Sequence, residues 1–88
     1  MNNILAEKET RLIEDILIKQ LSVRRDQLTD DARIMEDLGA DSLDVAEIVL
    51  ALEEQLNLTI PDDCVEKVKT VRDIHETVAE RSRKAQRP

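Results

Sequence analysis

Phenylalanine, tyrosine and tryptophan are all absent from the 88 residues. Any core must therefore be packed with Leu, Ile and Val, and any cavity in it is walled by branched or flexible alkyl groups. Cysteine occurs once, as Cys64, which excludes an intrachain disulfide and a cysteine-based zinc site. No run of 18 apolar residues is present, and the N-terminus lacks the basic-then-apolar pattern of a leader. The expectation is a cytoplasmic protein without stable membrane insertion. Lysine and arginine are missing from Ile34 to Glu66, a stretch that holds Glu36, Asp37, Asp41, Asp44, Glu47, Glu53, Glu54, Asp62, Asp63 and Glu66. With a net charge of −7 overall, that gap argues against nucleic acid or anionic lipid as a ligand of the central region and favours a partner with a basic surface.

What is present has helical period. Leu12, Ile13, Ile16, Leu17 and Leu21 recur at steps of three and four, which predicts a first helix from about Ile4 to Gln20, with Ile18 off the stripe and exposed. Leu43, Ala46, Val49 and Leu52, with Leu56 beyond, form a second apolar stripe and predict a second helix from Ser42 to about Leu56. Pro61 suits the start of a short third helix over DDCVEKV, with Val65 and Val68 inward. Thr70 and Asp73 have capping-box spacing ahead of a last helix bearing Val71, Ile74 and Val78. No strand-like alternation competes. The expected fold is all-α, a four-helix bundle with a short third helix and a long loop between helices 1 and 2. That loop, Ser22 to Asp41, exceeds the usual length of a structureless connection, and Val23, Leu28, Ile34 and Leu38 are spaced along it like pins into a core. One domain is expected over residues 1–80. The basic remainder, 81–88, with Arg81, Arg83, Lys84 and Arg87, is expected to fray.

The stretch EDLGADSLDVAEI, Glu36 to Ile48, places Ser42 between Asp41 and Asp44 at a helix start. A catalytic serine needs a general base, an orienting group and oxyanion donors. The single histidine, His75, is far along the chain, the local sequence is not the G-x-S-x-G elbow, and flanking carboxylates oppose developing negative charge. A calcium loop fails as well, because Gly39 in the glycine slot leaves Ile34 and Leu38 as ligands and Val45 where the glutamate belongs. Helix capping by Asp41 or Ser42, worth about 1 kcal/mol, accounts for part of the pattern. It leaves unexplained acids that continue through Glu47 and Glu54, and a glycine turn that delivers the serine. A third role is attachment: a serine at a helix N-terminus projects outward, and a phosphodiester there meets free backbone N–H groups.

EDLGADSLDVAEIVLALEE, followed by IPDD, resembles the acyl carrier proteins, and the likeness runs from about Ile13 to Val78, including QLSV after the first helix and KTV before the last. The resemblance implies that residues 1–80 form an acyl carrier domain. It also implies that Ser42 bears 4′-phosphopantetheine, supplied from coenzyme A by a phosphopantetheinyl transferase, and that the arm's thiol carries acyl groups as thioesters. On this reading the serine is a substrate and needs no local base, and the protein is not an enzyme. The residues implied for partner recognition are Asp41, Leu43, Asp44 and Glu47, extended by Glu54 on the same helical face. Partners are the transferase and the acyl-transferring and chain-elongating enzymes of a fatty-acid or related polyketide or lipid pathway, met by a monomer. Ile34 and Thr77 stand where these proteins commonly show Phe and Tyr. Two alternatives remain: an aminoacyl or peptidyl carrier, and an unmodified acidic helical adaptor. Separately, the adjacent acids Asp30/Asp31, Glu36/Asp37 and Asp62/Asp63 are candidate weak sites for hydrated divalent cations.

Overall fold

The computed structural model describes the backbone of residues 3–85 and the side chains of residues 7–83. Four helices follow one another: α1 (Asn3–Leu21), α2 (Ser42–Leu56), α3 (Asp62–Val65) and α4 (Val71–Ala85), with a 3-10 turn at Arg25–Gln27 inside the long connection. Helix α1 packs against both α2 and α4.

The α1 stripe behaves as its spacing predicts. Ile13, Ile16 and Leu17 are buried, Leu17 completely, while Leu12 and Leu21 pack at the edge. Ile18 departs from the expectation, since it is half-buried and packs against the core. Three long helices and a packed loop surround this small core, so its apolar arc on α1 is wider than one stripe. In α4, Val71, Ile74 and Val78 are buried as expected. The capping box ahead of it forms, with Asp73 N–H donating to Thr70 Oγ1 and Asp73 Oδ2 accepting from Thr70 N–H and Lys69 N–H.

The stripe predicted for α2 is only in part its buried side. The buried residues are Ile48 and Leu52, flanked by half-buried Val45, Val49 and Leu56, whereas Leu43 is 65% exposed and Ala46 also faces outward. This helix is apolar on two sides, so period alone could not choose between them. Leu43 and Leu50, both exposed, share the side opposite the core with Glu47 and Glu54.

The loop from Ser22 to Asp41 is part of the core. Leu28, Ala32, Ile34, Leu38 and Ala40 are buried, Ile34 to 2% exposure, and Val23 packs alongside. The loop is also stitched to the start of α4: Ile34 N–H donates to Lys69 O, Val71 N–H to Ala32 O and Arg72 N–H to Asp30 O, at 2.9–3.0 Å. These backbone pairs satisfy polar groups that burial would otherwise strand. They include an antiparallel bridge between Arg33 and Thr70.

Three backbone positions lie in the left-handed region: Gly39, Ser22 and Asn57, the last ending α2 with its N–H donating to Glu53 O. Gly39, at φ +79°, has nothing within 4 Å of where a Cβ would sit, so its requirement is conformational and not steric. Ser22, at φ +56°, terminates α1 by donating its N–H to Ile18 O at 2.8 Å. A non-glycine residue pays about 1–2 kcal/mol in that region, and glycine is the favoured residue just past a helix end. Ser22→Gly is therefore expected to stabilise the protein by roughly 0.5–1 kcal/mol after glycine's added chain entropy is subtracted. Thermal melting checks this, and a lower Tm would contradict the account.

The expected end of the domain at residue 80 is not where α4 stops. The helix continues to Ala85, because Arg81 Nε donates to the Thr59 carbonyl at 2.7 Å and Ser82 Oγ donates to Glu9 Oε2 at 2.9 Å. Residues 86–88, including Arg87, lie outside the described residues.

Candidate functional site

The turn that presents Ser42 is built from the loop upward. Ile34 is anchored in the core, Gly39 N–H donates to Met35 O, and Ala40 N–H returns to Ile34 O, both at 3.1 Å. Burial of Leu38 and Ala40 fixes the turn from the inside. Asp41 is then the N-cap of α2. Its Oδ1 accepts from Asp44 N–H at 2.8 Å, and Asp44 Oδ2 accepts from Asp41 N–H at 3.1 Å, a reciprocal box. Of the two capping candidates in the sequence, Asp41 does this work. Ser42 occupies the first helical position, exposed, with its hydroxyl not required for the cap.

Electrostatics around the serine are acidic and ordered. The Asp44 carboxyl is held below the usual range, first by the Asp41 N–H and then by the Gln20 amide. Gln20 Nε2, from the end of α1, donates to Asp44 Oδ1 at 3.2 Å and to Glu47 Oε1 at 2.6 Å. Among the expected recognition residues, Asp41, Leu43, Glu47 and Glu54 are exposed and Asp44 is half-buried. Leu43, Glu47, Leu50 and Glu54 fall at intervals of four, three and four, so they share one side of α2. Met35 adds a further exposed apolar side chain, 51% exposed, in the loop. Glu53, an acid of the central run, belongs elsewhere: its Oε2 accepts from Ile60 N–H at 2.8 Å and closes the turn after α2.

Beside Ser42 lies a groove of about 490 Å³, walled by Ile34, Met35, Val45, Ala46, Val65 and Val68, with Arg33, Glu36, Glu66 and Lys69 at its margins. It shares Ile34, Val45 and Val68 with a small apolar cavity of about 20 Å³, which Ile48, Val49, Leu52, Ile60, Ile74, Thr77 and Val78 complete. At that size the cavity holds about one water-sized sphere. Neither His75 nor Cys64 lines the groove beside Ser42: His75 is half-buried on α4, and Cys64 is a free, half-buried thiol on α3.

Four of the six acids considered for divalent cations have arginine partners. Arg72 pairs with Asp31 at 2.7 Å and Asp30 at 3.9 Å, and Arg33 pairs with Glu36 at 3.1 Å and Asp37 at 3.6 Å. Asp62 and Asp63 form the first turn of α3. Among the described residues, no three His, Cys, Asp or Glu side chains are grouped closely enough to hold a metal ion. No helix among them is long and apolar enough to cross a membrane.

Residues 11–78 match a family model described as a phosphopantetheine attachment site. The chain is 48% identical over 62 residues to the acyl carrier protein of Bdellovibrio bacteriovorus, covering 70% of this chain and 80% of that one. It is 43% identical over 72 residues to the acyl carrier protein of Clostridium perfringens, covering 82% and 95%. A solved structure of the acyl carrier protein from Enterococcus faecalis superposes with a TM-score of 0.75 at 32% identity, covering 86% of this chain and 96% of that one.

Proposed function

Since the chain belongs to the phosphopantetheine-attachment family, within its acyl carrier branch, we propose that Ser42 is the residue that receives the arm. The protein is a carrier and not an enzyme, and it holds acyl groups as thioesters on covalent 4′-phosphopantetheine. The observation that carries the Ser42 assignment is the division of labour at the start of α2. Asp41 and Asp44 cap the helix, leaving Ser42 exposed at its first position. A phosphodiester formed on Oγ would lie at the positive end of the helix, where backbone N–H groups favour an anion.

The fit to the group can be read from the residues present. The arm would begin at Ser42, and the groove it borders is walled by aliphatic side chains that continue into the small apolar cavity. An acyl chain laid along that route would bury its methylenes at about 0.8 kcal/mol each. The cavity is too small to admit much of one without the walls moving apart, and walls made only of aliphatic and Thr side chains can yield by rotamer changes. Recognition by partners is read from Asp41, Leu43, Asp44, Glu47 and Glu54. Acids around an apolar residue suit transferase and acyl-transferring enzymes that offer Lys and Arg, through contacts that form fast and dissociate readily. The pathway reading is fatty-acid synthesis or a related polyketide or lipid pathway. Monomeric state and a cytoplasmic setting belong to the same proposal, and the setting is supported by a cargo arm ending in a thiol, which has to remain reduced.

Intact mass tests the reading. Apo protein incubated with coenzyme A, Mg²⁺ and a phosphopantetheinyl transferase is expected to gain one phosphopantetheinyl group. No gain, under conditions that modify a known carrier, would favour the unmodified acidic adaptor. The groups found on protein isolated from its host separate an acyl carrier from an aminoacyl carrier.

The divalent-cation part of the reading narrows to Asp62 and Asp63, since arginine pairs with the other four acids and with neither of these two among the described residues. Binding to the folded state alone raises stability by mass action. Millimolar Mg²⁺ is expected to raise Tm above its value in NaCl of equal ionic strength, and Asp62→Asn with Asp63→Asn to remove the excess. Equal Tm in the two salts would reduce the effect to screening.

A further inference from the structure

Gln20 takes no part in attachment and belongs to a different helix, yet its amide reaches the acids that face partners. It is half-buried in the last turn of α1. Its Nε2 lies 3.2 Å from Asp44 Oδ1 and 2.6 Å from Glu47 Oε1, across 24 and 27 residues of sequence. An amide nitrogen has two N–H donors, one for each carboxylate, while the amide oxygen turned the same way would face two anions. The two acids sit one helical turn apart on α2. Unbridged, their carboxylates repel, and the longer glutamate samples several rotamers.

We propose that Gln20 is a positioning residue for partner recognition: its amide fixes the carboxylates of Asp44 and Glu47 in one arrangement, so that a basic partner meets them already aligned. The inference rests on the reading of α2 as the face presented to the transferase. A side chain ordered before docking is not ordered at the partner's expense, which is where preorganisation gains affinity. The same amide ties the end of α1 to the start of α2, next to the residue that is modified. It helps, after the Asp41 N–H, to hold the Asp44 carboxyl low.

The test uses Gln20→Met, which keeps the side chain's length and apolar stem but has no donor, and Gln20→Glu, which sets a third carboxylate against the pair. Both are compared with wild type in steady-state phosphopantetheinylation, with circular dichroism and Tm confirming the fold. Gln20→Met is expected to raise KM about threefold to tenfold with kcat little changed, because Ser42 Oγ is untouched. Gln20→Glu is expected to raise it further. In a background of Asp44→Asn with Glu47→Gln, Gln20→Met should have almost no additional effect. An equal loss in both backgrounds would mean that Gln20 touches the partner directly, and an unchanged KM would mean that the amide is only packing; either overturns the proposal. Titration of the Asp44 carboxyl by NMR needs no transferase. It should move up toward the ordinary carboxylate range in Gln20→Met, and an unmoved titration also overturns the proposal. If the transferase failed to modify even the wild-type protein, the Ser42 reading would fall while this titration still decided the role of Gln20.

Discussion

Ser42→Ala is expected to remove the phosphopantetheinyl mass gain completely while leaving stability within about 0.5 kcal/mol of wild type. Both halves follow from the start of α2. The cap that orders this helix is made by the Asp41 and Asp44 carboxylates and their backbone N–H groups, at 2.8 and 3.1 Å, with no contribution needed from the serine hydroxyl. Alanine at the first helical position has a better intrinsic helix propensity than serine and loses only an exposed hydroxyl. Attachment, by contrast, needs Oγ itself. The contrast with Asp41→Ala sharpens the test, since that change removes the cap and should cost about 1 kcal/mol while leaving the hydroxyl in place. A Ser42→Ala protein that still gained the group would move the site elsewhere. One that failed to fold would show that the hydroxyl has a structural role the cap geometry does not give it.

The division between cap and attachment was half legible in the sequence. Capping-box spacing placed Asp41 and Asp44 at a helix start, but two adjacent side chains were candidates for the cap, and only the hydrogen bonds choose Asp41. The four helices and the packed loop were also legible, because apolar residues at steps of three and four, or pinned at intervals along a long connection, report burial directly. The facing of α2 was not. With Val45, Ile48, Val49 and Leu52 on one side and Leu43, Ala46 and Leu50 on the other, both sides satisfy the helical period. The arrangement of α1 and the loop decides which one is covered. Gln20 and Glu53 were out of reach for a related reason. A polar side chain's role is set by its partner, and Gln20 meets Glu47 across 27 residues, whereas Glu53 is spent on the backbone of Ile60. The spacing of Val71, Ile74 and Val78 sets no end for α4, and the contact of Arg81 with the Thr59 carbonyl is again a long-range pairing that period does not report.

Reversing the charge of Glu47 and Glu54 to Lys is expected to slow association with the transferase by an order of magnitude or more at low salt. Reversing Asp44 would be a poor test, because its carboxylate accepts the Asp41 N–H and closes the capping box, so a slower reaction could reflect a damaged helix start. Glu47 and Glu54 are exposed on the side of α2 that faces away from the core, beside Leu43 and Leu50. The double change takes the net charge from −7 to −3, two units for each reversal, and places the change on the face proposed to meet a basic partner. The encounter rate should carry the effect. Dissociation should change less, since exposed charges at a wet rim contribute mostly steering. Salt supplies the control: screening acts over about 10 Å at 0.1 M and about 3 Å at 1 M. The wild-type on-rate should therefore fall as salt rises, the variant's should stay nearly flat, and the two should converge. Stopped-flow association at several salt concentrations measures this. An on-rate indifferent both to salt and to the reversal would reduce the acids of α2 to a solvated surface, and partner choice would then fall to the apolar pair Leu43 and Leu50.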